Sequence, residues 1–299
     1  MAKRAIALTT LLTLLTLCGV TQPSEPQVFT YRTPSSSADH RFSYEVELLR
    51  LALERTVPEY GPFQLQPGFS MNLPRAMAIA RANALENLVI KTSYSDTLAE
   101  EFDYPPYPID RGIFSYRICF VNNAKRQSVA KADSLEQMRA FTIGQGVGWL
   151  DVEILRYNGL TVTESPSYES LFPMLAAGRL DLVCRAQNEV AIEWEHFGAL
   201  GGFSIDDSFA FYYPLPRFFW VHKSNPLAFQ RLSKGLEIIY RDGTALELWK
   251  KYYEASLAKV TLTDRRIYVL KNPYLKHINP AYKDFFLNRE ATQLIEKSD

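Results

Sequence analysis

Hydrophobic positions between Phe141 and His196 switch between two periods. Phe141-Thr142-Ile143 is a short apolar run, Gly144 to Gly148 is a Gly-rich turn, and Leu150, Ile154 and Leu155 recur at helical spacing up to Asn158-Gly159. Residues 160–163 read as a second strand, 168–177 as a second helix closed by Gly178, and 180–184 as a third strand. Strand and helix repeating in this order predict a parallel sheet with crossover helices. Such sheets bind ligands beyond the carboxyl ends of their strands, where Gln145-Gly146 and Arg185 to Asn188 fall.

The same alternation opens the chain and places it in the α/β class. Residues 27–31 predict a strand, and 41–56 a helix carrying Tyr44, Leu48, Leu51 and Leu53. Strands at 63–65 and 88–90 flank a helix at 72–84. After Lys91 the pattern breaks: Pro105, Pro106 and Pro108 exclude regular helix and hold the chain extended up to a strand at 118–121. Residues 122–130 are polar and without apolar periodicity, which suits a connection. Further strands are expected at 199–203, 209–213 and 217–222, then helices at 227–240 and 244–253 separated by Asp242-Gly243.

The amino terminus has the layout of a secretory signal peptide over residues 1–21: Lys3-Arg4, an apolar run at 5–17, then a polar, Pro-containing stretch. Export to the periplasm is expected. The run is too short to span a bilayer, and Leu17 before Cys18 speaks against lipidation. Cys119 and Cys184 remain, each in an apolar strand-like run, and are expected to be buried free thiols in different lobes. Thirty-three basic and thirty-three acidic side chains cancel, so no global field marks nucleic acid as a partner.

Few motifs carry chemistry. Backbone N–H groups at the 144–148 turn suit an anion, with Gln145, Gly146 and Trp149 as contacts. Trp149 stands where a dinucleotide fingerprint needs its third glycine, and no phosphate-loop Gly-Lys-Ser/Thr occurs. His40, His196, His222 and His277 are scattered without zinc spacing, and there is no Gly-x-Ser-x-Gly elbow. No cofactor or metal is expected. Glu189 and Glu193, four apart, read as a solvated helix face or as an acid and base pair.

Asp151-Val-Glu-Ile-Leu155, the Ser-Tyr-Glu-Ser-Leu-Phe run at 167–172, Met174-Leu175 and Gly178-Arg179-Leu180-Asp181 together resemble the second lobe of bacterial extracellular solute-binding proteins of the amino-acid-binding type, family 3. The resemblance implies the two-lobed type II periplasmic-binding-protein fold with two crossover hinge segments. Lobe one would comprise 22–124 and 205–260, lobe two 125–204, and 261–299 would extend the chain packed on lobe one. It also implies a monomer that closes on a small polar or anionic, amino-acid-like ligand and serves a membrane permease or a membrane sensor, without catalysis. Alternatives are a dehydratase-like enzyme or a degenerate module used for protein contacts.

In such proteins the end of the first strand faces the cleft, which makes Tyr31 and Arg32 candidates. The arginine of the usual Thr-x-x-Arg element is missing, because Leu-Ala-Glu follows Thr97. Instead, Pro108-Ile-Asp-Arg-Gly-Ile-Phe-Ser-Tyr-Arg117 resembles a branch with a basic-Gly and Tyr-Arg signature, so Arg111 or Arg117 either anchors the ligand or forms a structural salt bridge. Arg185 stands where an aspartate is usual and would prefer a carboxylate or other anion. Asn188 follows as a contact or a helix cap.

Overall fold

The computed structural model describes residues 25–33 and 42–287. The predicted signal peptide, Cys18 and His40 lie outside them. The strands are β1 (Gln27–Thr33), β2 (Phe63–Ser70), β3 (Leu88–Ser93), β4 (Phe102–Asp103), β5 (Tyr116–Asn122), β6 (Thr142–Gly146), β7 (Thr161–Ser165), β8 (Leu182–Ala186), β9 (Phe203–Ile205), β10 (Phe209–Tyr212), β11 (Arg217–His222) and β12 (Arg266–Val269). The helices are α1 (Ser43–Glu54), α2 (Val57–Tyr60), α3 (Leu73–Arg81), α4 (Asp96–Glu101), α5 (Arg126–Lys131), α6 (Leu135–Met138), α7 (Leu150–Tyr157), α8 (Leu171–Ala176), α9 (Gln187–Phe197), α10 (Pro226–Arg241) and α11 (Thr244–Lys259).

These elements build two sheets. The first has the order β2-β1-β3-β11-β4, the second β12-β10-β5-β8-β6-β7, with β9 also paired to β5. The apolar runs of β3 and β5 are continuous because helices or loops cover both faces of each sheet. Phe29, Leu48, Val89, Leu232 and Ile239 form the core on one side of the first sheet, and Ala76, Ile90, Phe102, Trp220 and Tyr282 that on the other. The expected parallel unit is present: β6 pairs in parallel with both β7 and β8. Its first strand reaches to Gly146, so Gln145 and Gly146 belong to the strand rather than to the turn.

Two expectations change with the sheets. β5 and β10, read as lobe-one strands, both lie in the second sheet. The chain crosses earlier, through the proline-rich segment 104–115, and returns through Tyr213-Pro214-Leu215-Pro216. Prolines suit both passages because they cannot serve a sheet ladder and favour extended chain. The passages run side by side, with Tyr213 N–H donating to the Ser115 carbonyl at 3.1 Å. Because β5 sits beside β8, Cys119 and Cys184 face each other in register and form a disulfide. The expectation of two free thiols in different lobes is therefore corrected.

The carboxyl-terminal stretch also departs from a simple extension on lobe one. β12 pairs with β10 at the edge of the second sheet, and Tyr282 and Phe286 then pack into the aromatic cluster on the first. Between them, Asn158 of the second lobe bonds Lys271, while Asp96 of the first accepts from the Lys276 and His277 N–H groups. The tail thus adds two further passages between the sheets to the two expected hinge segments.

Candidate functional site

The two sheets enclose a cleft whose inner chamber, about 80 Å³, is lined from the first lobe by Arg32, Glu45, Lys91 and Arg217 and from the second by Arg117, Trp149, Asp151, Arg185 and Glu189. An outer chamber of about 250 Å³ continues past Leu73, Thr92, Ser93 and Trp149 to Met77, Ser95 and Val152. The lobes touch at one side. Gly148, at φ 76°, brings its backbone so near α3 that an added Cβ would lie 2.7 Å from Pro74 Cγ. A left-handed conformation and a close approach both require glycine there.

Arg117 leaves the start of β5 and is 3% exposed. Its guanidinium meets Asp151 Oδ1 at 2.6 Å and donates to the Tyr213 hydroxyl at 3.2 Å, while that hydroxyl donates to Asp151 at 2.5 Å. Burial disfavours the charge on Arg117, but Asp151 and Tyr213 outweigh it and hold the group protonated above its ordinary value. Burial, reinforced by Asp151, raises the Tyr213 phenol. Asp151 lies in the first turn of α7, the place where an external anion was expected, so the chain supplies its own carboxylate to the helix terminus.

Arg185, at the end of β8, is held more firmly. Its Nε lies 2.9 Å from both Glu193 oxygens, and Nη2 lies 2.8 Å from Glu189. Its guanidinium carbon is 4.7 Å from the Trp149 ring centre and 5.4 Å from that of Tyr168, within cation–π range. Burial opposes the charge, and the two glutamates more than restore it. Glu189 Oε2 also accepts from the Ala186 N–H, capping α9. Both glutamates are buried, so neither the solvated face nor a free acid and base describes them: β8 delivers Arg185 onto the first turns of α9, and the carboxylates serve it.

On the first-lobe wall, Lys91 pairs with Glu45, and Arg217 reaches Asp110 at 3.5 Å while lying 4.1 Å over the Phe114 ring. Phe114 also faces Lys91 and Arg117. Arg32 approaches the Met71 carbonyl and lies over Phe42. Burial raises the Glu45 carboxyl, against the pull of Lys91, Arg217 and Arg32. Five cations, Arg32, Lys91, Arg117, Arg185 and Arg217, therefore meet five carboxylates, Glu45, Asp110, Asp151, Glu189 and Glu193.

Of the sequence candidates, the structure brings Arg117, Trp149 and Arg185 together at the cleft. Gly146 lies beneath the Trp149 ring, 2.4 Å from an added Cβ to Cε2. Gln145 is fully buried, donating to the Cys184 carbonyl, and Asn188 is buried at the start of α9; neither reaches the chamber wall. Tyr31 packs on the first core while its neighbour Arg32 faces the cleft, as strand alternation requires. Arg111 lies outside the cleft. Glu45, Lys91, Phe114 and Arg217 were missed. Lys91 at the end of an apolar strand, and Arg217 directly after Pro216, were the available signals. Among the described residues, no group of three or more His, Cys, Asp or Glu is placed to hold a metal, and no helix is long and apolar enough to cross a membrane.

No family model and no curated protein matches the sequence. Solved structures do match the fold. An ancestral arginine-binding protein bound to arginine aligns with a TM-score of 0.58 at 14% identity, over 76% of this chain and 98% of its own. A substrate-binding protein of an amino acid ABC transporter from Streptococcus pneumoniae, bound to L-arginine, aligns at 0.57 and 13% identity over 77% and 96%. A histidine kinase sensor domain with similarity to periplasmic binding proteins aligns at 0.55 and 18% identity over 77% and 96%. At such identities the likeness speaks for architecture: this chain has the two-lobed type II periplasmic-binding-protein fold.

Proposed function

We propose that this chain is an exported binding protein whose lobes close on a small zwitterionic, amino-acid-like ligand, and that the closed form is read by a membrane permease or a membrane sensor. The observation that carries this is the charged cleft: five cations and three carboxylates line it beside the faces of Phe114 and Trp149, and Glu193 and Asp110, behind the walls, pair with Arg185 and Arg217 and bring the cluster to balance. A cleft already neutral in sum favours a ligand of zero net charge over a dianion. Arg217 is the cation to which the ligand carboxylate is assigned, since its internal ion pair is long and its side chain 20% exposed. The settings of the structural neighbours, an amino acid ABC transporter and a kinase sensor domain, fit this reading.

Thermal unfolding of the chain from Gln22 onward tests it, with amino acids, dicarboxylates, amines and sugars as ligands and turnover followed in parallel. A ligand that binds only the folded state raises Tm by mass action. A rise with zwitterions but not with dicarboxylates is expected, without turnover. No rise with any compound would favour the second reading, a module for protein contacts, which gains weight from the self-neutralised side chains and from the small inner chamber.

A further inference from the structure

A second cavity, about 320 Å³, lies away from the cleft where the two lobes join. Its walls include Arg111, Trp249 and Leu257 beside the first core and Gln187 and Leu262 beside the second, with Leu287 at one edge. Arg111 is 7% exposed, yet no carboxylate among the described residues pairs with it. The carboxylate of the adjacent Asp110 turns to Arg217 instead. The guanidinium of Arg111 rests 4.6 Å over the Tyr240 ring, and its Nε has no hydrogen-bond partner among the described residues. The contrast with Arg117 and Arg185, each neutralised by carboxylates of the chain, is direct.

A buried guanidinium without a counter-charge is the costly state that an anion relieves, and its planar fork suits a carboxylate. We propose that this cavity is a binding site for a small monocarboxylate with an apolar body, its carboxylate on Arg111 and its hydrocarbon against Trp249, Leu257 and Leu262. One cation calls for one negative charge. The apolar walls exclude a strongly hydrated dianion, and the volume equals about ten water-sized groups. Because the walls come from both lobes, occupancy and lobe closure are thermodynamically linked.

Calorimetric titration of the full chain with hexanoate and benzoate tests the site, using wild type, Arg111→Gln, Arg111→Lys, Thr261→Trp and Trp149→Ala. Thr261 is exposed at the rim of the cavity, so tryptophan there obstructs the entrance without entering a core. Expected is saturable binding to wild type, weakened about tenfold or more by Arg111→Gln, partly restored by Arg111→Lys, blocked by Thr261→Trp and retained in Trp149→Ala, which alters the cleft. Binding that survives both Arg111→Gln and Thr261→Trp, or that is lost in Trp149→Ala, would overturn the site. So would the absence of saturable binding to wild type.

Discussion

On the second-lobe wall of the cleft, Arg185 meets two carboxylates within 3 Å and lies over two rings, and Arg117 shares Asp151 with a tyrosine hydroxyl. On the first-lobe wall, Arg217 reaches a single carboxylate at 3.5 Å, and Glu45 carries a carboxyl whose charge burial disfavours. The charges are of the same kinds, but their attachment differs. A cation with saturated internal partners shapes a cleft without being free to change partner, whereas a loosely paired one exchanges a carboxylate of the chain for one of a ligand. The second wall is thus a fixed surface and the first the one that answers to ligand.

The largest effect expected from this contrast is at Arg185. Arg185→Met strands Glu189 and Glu193 in a buried site, so a loss of about 3–5 kcal/mol is expected by denaturant unfolding. A loss under about 1 kcal/mol would mean that the second wall is no more braced than the first. Next comes the disulfide beneath that wall, since Cys119 and Cys184 lie on the strands that carry Arg117 and Arg185. Replacing both cysteines by alanine should cost about 2–4 kcal/mol and loosen the registry of the two arginines. Little change in the unfolding midpoint would show that the ion pairs alone hold the wall.

These features differ in how far the sequence revealed them. The β6 to β8 unit was legible because its apolar periods, glycines and turns are local signals. The partners of β5 and β10 were not, because a short apolar strand carries no record of which sheet receives it, and the disulfide was hidden by the same misplacement. Arg117 and Arg185 stood out as charges at strand ends. Their carboxylates did not, since Asp151 and Glu193 find them only after β5, β8 and two helices pack together. Arg111 shows the opposite error: a distinctive sequence context led to the cleft, whereas its left-handed backbone, φ 50°, belongs to the passage between the lobes.

A smaller stability effect is expected on the first wall. Arg217→Lys keeps a cation beside the buried Asp110 and should change stability by no more than about 1 kcal/mol, yet weaken a zwitterionic ligand about tenfold or more by losing the planar guanidinium fork. The two readouts must separate. A stability loss matching that of Arg185→Met would make Arg217 a brace as well, and unchanged affinity would remove it from the ligand site.

The smallest expected effect is a pH slope at Glu45. Burial raises its folded-state pKa above the ordinary 4.5, and Lys91 does not cancel the rise. The folded protein therefore binds this proton more tightly than the unfolded chain does. The resulting stability is fully present below the unfolded value and is lost as pH rises through the folded one. Relative to wild type, Glu45→Gln should gain stability as pH climbs from about 4.5 into the neutral range. Loss of the partner of Lys91 displaces the whole curve, whereas the slope isolates the titration of Glu45. Unfolding free energies of both proteins across that window decide the matter. A slope of the opposite sign would mean that Lys91 holds the carboxylate ionised, and that the first wall is locked like the second.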